Sequence, residues 1–324
     1  MDEIEGRLAA AAARELTALV PTTTQPPRKG WTTADMPSLE GRLAIVTGAN
    51  SGLGLQAACA LARHGAAVTL AVRDRARGEQ AAAGTPGNVE VAVLDLADLA
   101  SVRAFAADWS ARHPEGLDLL LNNAGIMAVP RSLTVDGFES QLGTNHLGHF
   151  ALTGLLLPAL VARPGARVVT VSSMAHRMGR MDFDDLTAEA GYRPWQAYGQ
   201  SKLANLLFTS ELQRRLDVHG IRAKSMAAHP GYSATNLGHR AQGRAFMRLS
   251  DRLFAQSAEM GALPLLYAAT VAGLPGNTYV GPDGVLEQRG HPTVVGRSAR
   301  AQDAAAAARL WDLSEELTGV RFPL

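Results

Sequence analysis

The chain is 324 residues long and 47% hydrophobic, and 31 Lys and Arg against 30 Asp and Glu leave it a formal charge of +1. That length allows about one or two domains with a full apolar core, and the near-neutral charge excludes the broad basic surface of a nucleic-acid binder. The single cysteine, Cys59, excludes an internal disulfide and a Cys-based zinc framework, which points to a reducing, cytoplasmic setting.

Residues 1–40 read as an N-terminal arm and linker. Asp2, Glu3 and Glu5 oppose a secretory signal, and an Ala-rich stretch gives way to Pro21, Pro26, Pro27 and Pro37. No later stretch reaches the ~18 apolar residues of a membrane span, so no integral membrane segment is expected. From residue 41 the pattern becomes regular. Short β-rich runs at 43–47, 67–72, 89–94, 117–121, 167–171 and 222–227 alternate with longer helical stretches. Continuous apolar strands separated by helices predict an α/β fold: one doubly wound domain over 41–324, with a parallel sheet covered by helices on both faces.

The first strand runs into Thr47, Gly48, Ala49, Asn50, Ser51, Gly52, Leu53 and Gly54, ahead of an apolar helix. Glycines at 48, 52 and 54 let a turn close tightly and approach a pyrophosphate, whose charge suits the free N–H groups of a helix start. Strand 67–72 is followed by Arg73 and Asp74. Arg73 in this place favours a ribose 2′-phosphate and hence NADP(H), whereas Asp74 would favour NAD(H); Arg75 and Arg77 tilt the balance toward NADP(H) and leave NAD(H) open. Asp95 and Leu96 follow the third strand, where the Asp95 carboxylate reaches an adenine amino group or caps the next helix. After the fourth strand, Asn122, Asn123, Ala124 and Gly125 give small residues against which a ribose or nicotinamide lies, with Asn side chains that also suit a turn brace.

Tyr198 and Lys202 stand at i and i+4 on one face of a helix that runs to Leu216. The chain has five Tyr and only three Lys (Lys29, Lys202, Lys224), so such a pair arises by chance about 0.05 times. Lowering a tyrosine from its ordinary pKa near 10 to neutrality needs ~4 kcal/mol, which a fixed ammonium and an oxidised nicotinamide together supply. The planar fork of Arg does not substitute for that point charge.

These motifs, taken in order with Asn145 in Asn-His-Leu-Gly-His-Phe, the Ser172-Ser173 pair and Pro230-Gly231, resemble the short-chain dehydrogenase/reductase family over about residues 41–285. The resemblance implies a Rossmann fold in which Tyr198 donates or accepts the proton and Ser173 hydrogen-bonds the substrate oxygen, Ser172 being the alternative. It implies that Lys202 binds the nicotinamide ribose and lowers the Tyr198 pKa, and that Asn145 holds a water of the proton relay. Cofactor contacts implied with it come from Gly48, Asn50, Ser51, Gly52, Leu53, Gly54, Arg73, Asp95, Leu96, Asn122, Ala124, Gly125, Tyr198 and Lys202. The stretch 229–235 adds Pro230, Gly231, Ser233 and Thr235 at the carboxamide end. More narrowly, Val-Ser-Ser-Met-Ala-His at 171–176, Phe-Asp-Asp-Leu at 183–186 and Ser-Lys-Leu-Ala-Asn at 201–205 are similar to the retinol-dehydrogenase-like branch, mostly NADP(H)-dependent, whose substrates include retinoids and other apolar aldehydes and ketones.

The expectation is therefore an NADP(H)-dependent oxidoreductase that moves a hydride between nicotinamide and the carbonyl or alcohol carbon of a small, apolar substrate. A homo-oligomer is common in the resembling family. The alternative is a non-catalytic NADP(H)-sensing binding protein on the same fold, which would have no need of a tuned tyrosine. A substrate lid is placed around 233–260, where Phe246, Leu249, Leu253 and Phe254 recur at helical spacing; an ordinary core helix or a subunit contact gives the same pattern. Met174, Met178, Met181, Phe183 and Trp195 suit a bulky apolar ligand. His146, His149 and His176 lack a third acidic ligand or a cysteine partner, so no metal is expected.

Overall fold

The computed structural model describes residues 30–232 and 256–324. Its first six strands fall where the apolar runs place them: β1 (Leu43–Thr47), β2 (Ala67–Val72), β3 (Val89–Val93), β4 (Leu119–Asn122), β5 (Arg167–Val171) and β6 (Lys224–Ala228). Two more strands complete the sheet, β7 (Tyr279–Pro282) parallel to β6 and β8 (Pro292–Val294) antiparallel to β7, in the order β3-β2-β1-β4-β5-β6-β7-β8. The parallel sheet expected from the sequence thus ends in one antiparallel edge strand. At three residues β8 is too short to carry an alternating pattern, which is why it leaves no trace in the sequence.

Among the described residues, seven helices of nine residues or more cover the sheet: α1 (Gly52–Arg63), α2 (Arg75–Ala83), α3 (Leu99–Arg112), α4 (Gly148–Val161), α5 (Pro194–Val218), α6 (Ala258–Thr270) and α7 (Ala304–Thr318). One face carries α1 and α6, whose Ala57, Leu61, Leu263 and Leu266 pack on Val46, Val68 and Val280. The other carries α3, α4 and α5, with Trp109, Phe150 and Phe208 against Ile45, Leu120 and Val168. Trp311 of α7 and Phe322 close over Phe150 and Phe208, with ring centroids 4.4–6.4 Å apart. Strand order reverses between β1 and β4, so the chain leaves these neighbours in opposite directions and opens a crevice at their carboxyl ends. Among the described residues no helix is long and apolar enough to cross a membrane.

The boundary drawn at residue 40 needs correction. Trp31, Met36 and Leu39 are buried in the α1/α6 face. The Trp31 ring meets Tyr267 edge-on at 5.3 Å, its carbonyl accepts from His291 Nδ1 at 3.1 Å, and the Leu39 N–H donates to the His64 carbonyl at 2.7 Å. Pro37 suggested a linker because proline interrupts helices and strands alike, but an irregular segment can still bury its apolar side chains. Residues 1–29 of the expected arm lie outside the described residues.

Replacing Trp31 by Ala should lower the unfolding free energy by about 3–5 kcal/mol, the usual cost of emptying a buried tryptophan site, as measured by urea denaturation. A Trp31 that belonged to a linker would leave the midpoint unchanged.

Candidate active site

The crevice between the ends of β1 and β4 is a cleft of about 480 Å³. Gly48, Asn50, Ser51, Gly52, Leu53 and Gly54 line one end of it. Gly48 sits at φ +66 with no room for a side chain, since a Cβ there would come within 3.0 Å of the Ala124 Cα. Ser51 precedes α1 in an extended conformation and makes no side-chain cap, so the amides of the first turn of α1 are left to an anion. Arg73, Asp74 and Arg77 line the same cleft. Asp74 is the N-cap of α2, its carboxylate accepting from the Arg77 N–H at 3.1 Å and lying 3.5 Å from the Arg77 guanidinium. Arg73 has no ion-pair partner among the described residues. These residues fit a dinucleotide: an uncapped helix start for the pyrophosphate and a guanidinium at the end of β2.

Thr47 joins this turn to the rest of the site. Its Oγ1 accepts from the N–H groups of Asn123 and Ala124, both at 2.9 Å, and lies 2.9 Å from His149 Nε2. His149 Nδ1 lies 3.0 Å from the Asn145 carbonyl, which can only accept, so Nδ1 carries the proton and Nε2 accepts from Thr47. Burial pushes this imidazole down to about 3, against the bond to Asn145, and keeps it neutral.

The floor of the cleft differs from expectation at one position. Asn122, expected at the cofactor, turns its amide into the core, where Nδ2 donates to Thr153 Oγ1 at 3.0 Å. Asn123 lines the cleft instead, with its Nδ2 bonded to the Thr47 carbonyl at 2.8 Å. Successive residues at a strand end point to opposite sides, so only one of the pair can reach the crevice. Ala124 and Gly125 line it as expected, as do Asp95 and Leu96. Asp95 Oδ1 also accepts from the Ala97 N–H at 3.0 Å, so the carboxylate braces its own loop while facing the cleft. Pro230 lines the cleft, whereas Gly231 at φ +65 packs against the Gln288 carbonyl behind it. Ser233, Thr235 and nearly all of the expected lid at 233–260 lie outside the described residues.

At the other end, Asn145 lies in a π-helical stretch, Gly143–Leu147, that leads into α4. Such widened turns re-aim side chains and often mark functional positions. The Asn145 amide clamps Ile126 through both backbone groups, at 2.8 and 2.9 Å, and donates to Ser201 Oγ at 2.9 Å. Its bonds therefore tie the cleft floor to α5. A Cβ on Gly125 would stand 3.0 Å from Asn145 Oδ1 and 3.5 Å from Lys202 Nζ, so Gly125 keeps the space between them open.

Tyr198 and Lys202, both buried on α5, face the cleft. Lys202 Nζ donates to the Val171 carbonyl at 3.0 Å and lies 5.8 Å from the Tyr198 ring centre. Burial pushes the ammonium down to about 8. Tyr198 moves opposite to the direction implied by the resemblance: burial pushes its hydroxyl up to about 12, while a hydrogen bond with the Ser173 side chain pulls only partly against it. Of the serine pair, Ser173 meets Tyr198, and Ser172 donates to the Lys202 carbonyl at 2.8 Å. Tyr198, Lys202 and Ser172 thus line the cleft, while Ser173 stands behind the lining beside Tyr198, its Oγ also accepting from the Ala175 N–H at 3.2 Å, and Asn145 stands behind Gly125. His146 turns away to Ser314 Oγ at 3.0 Å, so the two histidines of the i, i+3 pair serve different partners.

Residues 42–244 match the family described as short chain dehydrogenase. The chain belongs to the short-chain dehydrogenase family. It is an oxidoreductase acting on CH–OH or C=O groups with a nicotinamide dinucleotide. Among curated relatives it is 40% identical to retinol dehydrogenase 14 of Mus musculus over 304 residues, covering 87% of each chain. It is 42% identical to polyprenol dehydrogenase of Mus musculus over 297 residues, covering 88% of this chain and 86% of that one. A crystal structure of an uncharacterized protein from Mycobacterium paratuberculosis matches with a TM-score of 0.79 and 55% identity, covering 91% of this chain and all of the other. These similarities make the chain retinol-dehydrogenase-like within the family.

Because Lys202 is held near 8 when folded and titrates near 10.5 when unfolded, its burial opposes folding at neutral pH and ceases to do so as pH rises through that window. Lys202→Met should therefore melt higher than the unsubstituted protein at pH 7, and calorimetry at successive pH values should show the gap closing between pH 8 and 10.5.

Proposed function

We propose that the protein is an NADP(H)-dependent oxidoreductase that interconverts an apolar carbonyl compound and its alcohol, with Tyr198 as the acid–base group. The observation that carries this reading is the meeting of the Tyr198 and Ser173 hydroxyls beside buried Lys202, over a floor of Ala124 and Gly125. When bound, the nicotinamide supplies the hydride in reduction or accepts it in oxidation. In reduction the substrate oxygen lies between the two hydroxyls: Ser173 donates to it and orients it, and Tyr198 gives up its proton as the carbon gains hydride. Lys202 opposes the growing negative charge on the Tyr198 oxygen. A tyrosine raised to about 12 is protonated at neutral pH and so stands ready as the acid of the reductive step.

The phosphate preference rests on Arg73 and Asp74. Both line the cleft, but the carboxylate that would suit a 2′-hydroxyl is engaged as the α2 cap, while Arg73 has no ion-pair partner among the described residues. Ile126, Met127 and Val129 form an apolar wall, which accords with the long apolar alcohols in the names of the retinol and polyprenol dehydrogenases. A sensor that only bound the dinucleotide would not gain from burying an ammonium beside a tyrosine, so the catalytic reading is preferred.

Tyr198→Phe should abolish turnover of a panel of apolar aldehydes and ketones, followed by NADPH absorbance, while NADPH still binds; retained turnover would remove Tyr198 from the chemistry. Arg73→Ala should weaken NADPH binding roughly tenfold or more, the cost of one charge-assisted phosphate bond, and leave NADH binding within about twofold by titration. Equal losses for both cofactors would overturn the phosphate assignment.

A further inference from the structure

The apolar wall of the cleft is held in place by a side chain that does not touch the cleft. Ala128 lies in that wall, fully buried at φ +47, a left-handed conformation that a residue with a Cβ keeps only when its surroundings hold it there. Its N–H donates to Gln141 Oε1 at 2.7 Å. From Nε2 the same amide donates to the Tyr192 hydroxyl at 2.7 Å and to the Pro194 carbonyl at 3.0 Å. Tyr192 in turn donates to the Val129 carbonyl at 2.8 Å. Buried Glu139 accepts from the N–H groups of Gln141 and Leu142, each at 2.8 Å, and so fixes the backbone that carries the amide.

Gln141 is itself fully buried, and its amide spends all three of its hydrogen-bonding groups here. The elements it joins are the wall at 126–129 and residues 192–194, where α5 begins. Trp195, next along, meets the Tyr198 ring edge-on at 6.1 Å, so a displacement of 192–194 is passed to the tyrosine. We propose that Gln141 is a positioning residue that sets the gap between the Ile126–Met127–Val129 wall and Tyr198, and thereby the bulk of carbonyl substrate that can approach the Tyr198 hydroxyl. This inference rests on the oxidoreductase reading above. Without the amide, the Ala128 N–H and the Tyr192 hydroxyl lose buried partners, and the wall must leave its left-handed turn to find others.

The test compares Gln141→Leu, Tyr192→Phe and the double variant with the unsubstituted enzyme. Gln141→Leu should raise KM for a bulky apolar aldehyde at least tenfold while kcat changes less than threefold and the NADPH dissociation constant less than twofold. A short-chain aldehyde should show a smaller rise. Because both side chains serve one network, the double variant should lose little more than Gln141→Leu alone. Hydrogen exchange should quicken at least tenfold in the peptide covering 126–130 and stay unchanged at 43–47. Unchanged KM in a folded variant, unchanged exchange at 126–130, or an equal loss of NADPH affinity would each overturn the proposal. If Gln141→Leu does not fold, Tyr192→Phe, which removes a single hydroxyl, carries the same measurements. If the unsubstituted enzyme turns over none of a broad carbonyl panel, the oxidoreductase reading fails on its own, and exchange together with NADPH affinity still decides whether Gln141 holds the wall.

Discussion

A single hydroxyl organises the site. Thr47, the last residue of β1, accepts on Oγ1 from two backbone amides at the end of β4 and directs its proton to His149 Nε2 at 2.9 Å, with the Leu121 carbonyl a longer acceptor at 3.3 Å. Buried polar atoms must find partners, and this arrangement satisfies the strand end, the floor of the cleft and an imidazole at once. The close approach of Gly48 to Ala124 follows from it, as does the link through His149 to the carbonyl of Asn145. The nucleotide turn and the proton-handling end are therefore two ends of one hydrogen-bonded chain.

Burial gives the site its electrostatic character. It makes the charged form of Lys202 and the ionised form of Tyr198 both costly, pushing the ammonium down to about 8 and the phenol up to about 12, so the phenol holds its proton at rest. His149 and His146 are held neutral, near 3 and 4. Both folded values lie below the unfolded value of 6.5, so the stability these groups allow at neutral pH is lost as pH falls from about 6.5 through 4 and 3. The same desolvation that sharpens the chemistry makes the core sensitive to acid.

Much of this was legible in the sequence, and the misses have physical causes. Strand positions were legible because apolar runs of five or six residues are long enough to show a pattern, and β8 was not. The sequence tilts the choice at Arg73 and Asp74 toward the arginine, and that Asp74 also serves as the α2 cap depends on a backbone turn that the residue order does not show. Asn122 and Asn123 are chemically identical, so only the side of the strand separates them. Gln141 gave no signal at all, since an isolated polar residue outside any motif gains its meaning from partners at 128, 192 and 194. Trp31 falls within the 1–40 stretch that reads as an arm because a single aromatic side chain carries no periodic signal to set against the prolines around it. The direction of the Tyr198 shift could not be read from spacing, which records that a lysine is near but not how much water is excluded.

The position of Trp31 also bears on how the chain acquires its structure. One face of the core is closed by a residue from near the beginning packed against Tyr267 of α6, with its carbonyl bound to His291. These contacts span well over two hundred positions, and long-range contacts of this kind slow folding because loop closure must come before they stabilise anything. A nascent chain emerging from the ribosome can assemble β1 to β5 early, yet this face stays open to solvent until α6 and the β7–β8 connection have been synthesised. Trp31 is then the clasp fastened last, and a chain released short of residue 291 would keep an oily seam exposed to chaperones and proteases.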